Sequence, residues 1–280
     1  MAKRCALLLL VAALVTASAG AATSPRLTNV FDVAVLRDGS LLVSDEANYV
    51  FRARPGGLLR VVAGNGKGGS SGDGGPAVKA RVGFPVEVAP DPRGGFSVVS
   101  EERLVRRVDA RGRITTLARL ARPTAHAYDA RGNLFVSELS GRVKRIDART
   151  REVATVARGL DQPHGLVVDR DGALIVCETF GNRLVRIDPA TGAVETFASG
   201  LQNPNDVALA RDGTFLVSAF RSNSIERVAR DGTVTRVTSA AGPNAVAVDA
   251  AGRVYFTELG KPRVVRFDPA SRRRSIVLGR

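Results

Sequence analysis

Residues 162–200 open on Gln-Pro-His-Gly-Leu-Val-Val-Asp, turn at Asp171-Gly172 and run on through Ala-Leu-Ile-Val-Cys-Glu. Arg-Leu-Val-Arg-Ile-Asp follows, then a turn at Thr191-Gly192 and a closing Ala-Val-Glu-Thr-Phe-Ala. Four short alternating runs separated by turn residues predict a four-stranded antiparallel meander.

The pattern recurs along the chain. Its opening proline falls at Pro85, Pro123, Pro163, Pro204 and Pro243, and one more copy starts upstream, where Val30 takes the proline position and Asp38-Gly39 the first turn. A four-strand unit repeating at about forty residues is the signature of propeller blades. The expected fold is therefore all-β, a six-bladed β-propeller of four-stranded antiparallel blades. Each of the six copies is complete, so blade one should close the ring on blade six without exchanging a strand. Gly95, Gly132, Gly172, Gly213 and Gly252 supply the first hairpin turns of blades two to six. Blade two reads as carrying one extra residue around Pro90-Asp91-Pro92.

The first residues stand outside this repeat. Lys3 and Arg4 precede an apolar run from Cys5 to Val15 and small residues at Ala17-Ser18-Ala19 and Ala19-Gly20-Ala21, which together read as a signal peptide over residues 1–21. The run is too short for a membrane span. The expectation is an exported monomer, secreted or periplasmic, with no transmembrane anchor after cleavage and a propeller over residues 22–280. Cys177 is then the one cysteine, in an apolar strand where a packed, inert thiol is expected.

The formal charge is +14, and the positive side is nearly all arginine spread over every blade. No series of aromatic residues interleaves with it, so a basic, solvated surface is expected rather than a nucleic-acid site. The one irregular spacing lies between Val30 and Pro85, which admits a glycine-rich insertion over residues 63–83. Gly64-x-Gly66-x-x-Gly69 matches a dinucleotide fingerprint only on paper, because a meander and not a βαβ unit surrounds it. Gly66-Lys67 likewise lacks the serine or threonine of a phosphate-binding loop.

The insertion, with Gly-Asp-Gly-Gly-Pro-Ala at 72–77, and the blade pattern of Pro-x-x-Val-x-Val, Asp-Gly and Val-Ser-Glu resemble NHL-repeat proteins of the six-bladed TolB-like propeller class. Pro163-His164-Gly165 and the strand endings Val136-Ser137-Glu138, Val176-Cys177-Glu178 and Phe256-Thr257-Glu258 are similar to blades of virginiamycin B lyase, and gluconolactonase and regucalcin look like more distant relatives. Such relatives include enzymes and plain binding scaffolds, so the resemblance implies a fold and leaves the activity open.

In an antiparallel blade the start of the innermost strand lies beside the end of the second. One rim should thus collect Thr124, His164, Asn205 and Asn244 with Asp45, Glu101, Glu138, Glu178 and Glu258, and the 63–83 loop should open there too. His164, Asn205 and Asn244 hold equivalent places in three consecutive blades and are aimed at one axis. Two amide oxygens, an imidazole and nearby carboxylates suit a hard divalent cation such as calcium or magnesium. The gluconolactonase resemblance implies metal ligands at Asn205 and Asn244, from which His164 departs. The lyase resemblance implies a histidine and a glutamate around magnesium, with His164, Glu178 and Glu258 as the catalytic candidates. A repeated strand-end acid equally suits a carboxylate that accepts backbone N–H groups or pairs with the following arginine, and an asparagine after proline suits a backbone cap. His126 reads as a packed or hydrogen-bonded core histidine.

Two functions are expected from these residues: a propeller that binds a small metabolite, glycan or peptide at the channel rim, or a metal-assisted lactone hydrolase or lyase.

Overall fold

A computed structural model describes residues 25–279. The leader expected at residues 1–21 lies outside them, and among the described residues no helix is long and apolar enough to cross a membrane. Six four-stranded antiparallel sheets follow one another as the blades of a six-bladed β-propeller, each made of four consecutive strands. Blade four uses Pro163–Val168, Leu174–Glu178, Arg183–Ile187 and Val194–Ser199.

The core lies between the blades, because each strand presents apolar residues to the sheets on both sides and has no other place to bury them. The ring closes in this way as well. Val33, Leu41 and Phe51 of blade one pack with Tyr255, Val264 and Leu278 of blade six. The outer strand of blade six is its own Arg273–Gly279, so no strand is exchanged.

The innermost strands carry the features that shape the channel. Each has a register shift just after its opening residue, between Val30 and Asp32 in blade one and between Pro204 and Asp206 in blade five. A bulge of this kind leaves one backbone N–H without a ladder partner and re-aims the side chains beside it. The hydroxyl of the Val-Ser-Glu pattern satisfies that donor. Ser44, Ser137, Ser218 and Thr257 accept from the N–H groups of Asp32, Ala125, Asp206 and Ala245 at 2.9–3.1 Å. Ser137, Ser218 and Thr257 donate in turn to the carbonyls of His164, Asn244 and Phe31 on the next blade. The hydroxyl thus ties neighbouring bulged strands together where blade three meets four, five meets six and six meets one.

Blade two departs from its sequence reading. It carries no extra residue, since Pro85 pairs with Ser100 just as Pro123 pairs with Glu138. Ser100 takes the strand end and Glu101 falls in the exposed turn beyond it. The Val-Ser-Glu triplet at 99–101 is one residue late relative to the ladder, which is why it suggested an insertion.

The 63–83 segment also departs from expectation. It leaves blade one on the predicted rim but runs down the outside of blades one and two to the opposite end. There Gly74 and Ala77 donate to the carbonyls of Ile114 and Gly112, at the turn into the outer strand of blade two. A two-stranded ribbon, Ser70–Ser71 with Arg81–Val82, and a short 3₁₀ turn at Ala77–Lys79 brace it.

Cys177 is fully buried, and burial followed by the nearby Asp206 charge pushes its thiol well up. It is the inert core cysteine the sequence implied.

Candidate functional site

The bulges bring the residues after the opening prolines to the mouth of the channel. A cavity of about 550 Å³ opens there, with Phe31, Thr124, His164, Asn205 and Asn244 around it. The trio expected from sequence is therefore brought together. Thr124 Oγ1 donates to the Pro163 carbonyl at 2.9 Å, and Asn244 Nδ2 to that of Phe31 at 2.7 Å. Asn205 Nδ2 reaches both the carbonyl and the Oδ1 of Asn244, at 2.9 and 3.0 Å. These amides bridge neighbouring blades with their N–H groups, and Asn205 Oδ1 remains as an acceptor at the mouth. His164 is different. Burial alone lowers its pKa, so its ring is neutral at pH 7, with both nitrogens available to the cavity.

Glu178 and Glu258 are placed elsewhere. Their side chains are almost fully buried beneath the connections between blades and do not line the mouth. Glu178 accepts from the Asp161 N–H at 2.9 Å and pairs with Arg183. Glu258 accepts from the Ala241 N–H at 3.0 Å and pairs with Arg263 and Arg274. Burial would raise the Glu258 pKa, but the Ala241 N–H and Arg263 outweigh it and hold the carboxylate below its usual range. Glu138 and Asp45 receive the N–H groups of Ala121 and Thr28 in the same way. The repeated strand-end acid is a clamp on the connection between blades.

The carboxylates that do face the channel come from another position, two residues after the strand opening. Asp32, Glu87 and Asp206 form the floor of the mouth, and the same three line a larger cavity on the opposite face. Asp32 accepts from Val88 N–H and Asp206 from Val246 N–H, each at 2.8 Å and each across to the next blade. Glu87 reaches the next blade through a side chain instead, with Oε2 2.7 Å from His126 Nδ1. His126 Nε2 lies 2.7 Å from Ser97 Oγ, which donates to the Ala89 carbonyl.

The protons of this group follow from its burial. Asp32 is pushed up to about 8 by burial and then by the Asp206 charge, and Asp206 to about 7 by burial. Burial raises Glu87 well above the carboxylate range, with the charges of Asp32 and Asp206 adding to it. Burial pushes His126 down to about 3, so the ring is neutral. With its carboxyl raised in this way, Glu87 keeps its proton and donates it to His126 Nδ1, and His126 Nε2 then donates to Ser97 Oγ. His126 is the hydrogen-bonded core histidine expected, and it orients Glu87.

Gly165 lets the fifth blade come this close. A Cβ there would lie 2.5 Å from Asp206 Cα and 2.8 Å from its Oδ1. Gly165→Ala is expected to cost about 1–3 kcal/mol, because backbone and not a mobile side chain stands in the way. A denaturant midpoint unchanged from the parent would show that the strand yields freely.

No family model matches the chain, and no curated protein matches it. Solved structures do. An inactive variant of virginiamycin B lyase from Staphylococcus aureus with quinupristin is 17% identical, with a TM-score of 0.67 over 91% of this chain and 86% of that one. A gluconolactonase from Xanthomonas campestris is 18% identical, with a TM-score of 0.71 over 90% of this chain and 87% of that one. A chain of the nidogen/laminin complex is 15% identical, with a TM-score of 0.72 over 86% of this chain and 93% of that one. At these identities what is shared is the fold. Six complete blades and these neighbours identify the chain as a six-bladed β-propeller of the architecture found in virginiamycin B lyase and the gluconolactonases.

Proposed function

We propose that this is an exported propeller that binds a small polar molecule at the His164 mouth of its channel. The observation that carries the proposal is the convergence of His164, Asn205 and Asn244 from three blades on one cavity above three buried carboxylates. A concave site with few, convergent polar groups on a rigid ring is the usual form of a small-molecule site. Its size suits a metabolite or one sugar unit better than an extended peptide.

A hard divalent cation fits the donor set, which is rich in oxygen and includes the uncommitted Oδ1 of Asn205. His164, Asn205 and Asn244 would hold it. Among the described residues no three His, Cys, Asp or Glu side chains form a metal-holding group, so binding would depend on the amide oxygens. Calcium or magnesium in large excess over its dissociation constant should raise the thermal midpoint of the parent by roughly 5–10 °C. Asn205→Ala with Asn244→Ala should abolish that rise. Equal rises in both proteins, or none in the parent, would remove the cation from the proposal.

One observation favours a second reading, a metal-assisted lactone hydrolase or lyase. His164 is neutral and faces the cavity, a state in which imidazole takes a proton from water or from an acidic carbon. Bound there, a cation would polarise a carbonyl. A screen of simple lactones with the parent and His164→Ala tests this reading; turnover that persists in the variant would exclude His164 as the base.

A further inference from the structure

The larger cavity, about 1230 Å³, opens on the face opposite His164 and runs inward to Asp32, Glu87 and Asp206. Its outer part is lined by charged residues, Arg37, Arg52, Arg60 and Arg111 with Asp38, Asp109 and Asp129, and its inner part by a ring of small apolar ones. The fifth residue of each innermost strand lines it, and these are Ala34, Ala89, Ala127, Val167, Ala208 and Ala247. Tyr128 lines it as well, with a buried hydroxyl that finds no hydrogen-bond partner among the described residues.

The acids at the inner end lack a fixed counter-charge. Asp91, Asp169, Asp249, Glu178 and Glu258 are buried and each pairs with arginine. Asp32, 6% exposed, receives the Val88 N–H on Oδ2 and a second backbone N–H from Val33, and its carboxyl lines the cavity. Among the described residues, no arginine or lysine pairs with Asp32, Glu87 or Asp206, in a chain that holds 41 of those two residues. Among the described residues the three form no metal-holding group.

We infer that this second cavity is a seat for an organic cation, a primary ammonium held by Asp32, Glu87 and Asp206 with its apolar body along the ring of small residues. An ammonium carries three donors, the oxygens of the three carboxyl groups line the place where it would sit, and its charge would release to solvent the protons that burial holds on the two aspartates. The alkyl body lies along the alanine ring. The body of this ligand lies on the face opposite His164, while the three carboxyl groups are shared with the floor of the His164 mouth.

Calorimetric titration with n-alkylammonium ions tests it. Affinity should rise about fourfold per methylene from butylammonium to hexylammonium. Hexan-1-ol and hexanoate should bind at least tenfold more weakly than hexylammonium. Asp32→Asn with Asp206→Asn should weaken hexylammonium at least tenfold, and Glu87→Gln serves the same purpose if the double variant fails to fold by circular dichroism. Ala208→Leu, which narrows the ring without touching a charge, should weaken it about fivefold. No binding of hexylammonium to the parent, equal binding of hexan-1-ol, or an unchanged affinity in Ala208→Leu would each overturn the assignment.

Discussion

Deleting residues 65–75 is expected to lower the thermal midpoint by roughly 6–20 °C, even though the segment is glycine-rich and lies on the outside of the ring. The reason is Arg106. This side chain is 1% exposed in the third strand of blade two, and its guanidinium is satisfied by the insertion. Nε and Nη2 contact Asp73, Nη1 donates to the Arg81 carbonyl at 2.8 Å, and Nη2 donates to the Ser71 carbonyl at 3.1 Å. Asp73 also receives the Thr116 N–H at 3.0 Å, which with Arg106 outweighs burial and holds its carboxyl below the usual range. Removing the segment strands a buried cation, which costs about 3–5 kcal/mol when one partner of a buried pair is lost. Asp73 is half exposed, so the lower end of that range is expected. Arg106→Met in the deletion background should recover several degrees, because an apolar side chain of similar length has no charge to strand. If the deletion melts with the parent, the segment is free to serve a ligand, as its point of entry on the rim had suggested.

The contrast between that loop and the blades shows what this sequence makes legible. Blade number and strand order follow from the period of the opening prolines and turn glycines, because each blade is locally complete and its strands are neighbours in the chain. The path of the insertion does not. Its decisive contact joins Asp73 to Arg106, from a loop to a strand of the next blade, and nothing periodic marks the pair. The channel carboxylates were hidden for a related reason. Attention to repetition selected the strand-end acids, which recur because every blade needs its connection clamped. Asp32, Glu87 and Asp206 occupy a position that is Ala125, Gly165 and Ala245 in the other blades, so no repeat singles them out. The available signal was the exception itself, a charged residue early in an innermost strand that is otherwise apolar. His164, Asn205 and Asn244 were legible because they follow the prolines directly, at the bulge that turns them toward the axis.

Those same carboxylates should make the fold less stable as pH rises from 6.5 to 8. An unfolded aspartate loses its proton near 3.8, whereas folded Asp32 keeps it to about 8 and folded Asp206 to about 7. Between these limits the native state binds more protons than the unfolded chain, so stability falls with pH, and the share of the two aspartates is used up about a unit above 8. The two histidines act in the opposite sense. Burial lowers the pKa of both His126 and His164, so folding excludes protons that the unfolded chain would bind below about 6.5. Their contribution fades within about a unit above 6.5, and that of surface aspartates such as Asp38, held near 2 by Ser40 and Arg52, is already flat there. The remaining slope belongs to the channel floor and amounts to about 2 kcal/mol, at about 1.4 kcal/mol for each unit of pH over which Asp32 stays protonated. Denaturant midpoints of the parent at pH 6.5, 7.25 and 8 should fall in sequence, while Asp32→Asn with Asp206→Asn should fall less steeply, keeping only the share of buried Glu87, and exceed the parent at pH 8. A parent that is level across this window would mean that both aspartates are ionised at neutral pH. The channel floor would then carry full negative charge in the empty protein.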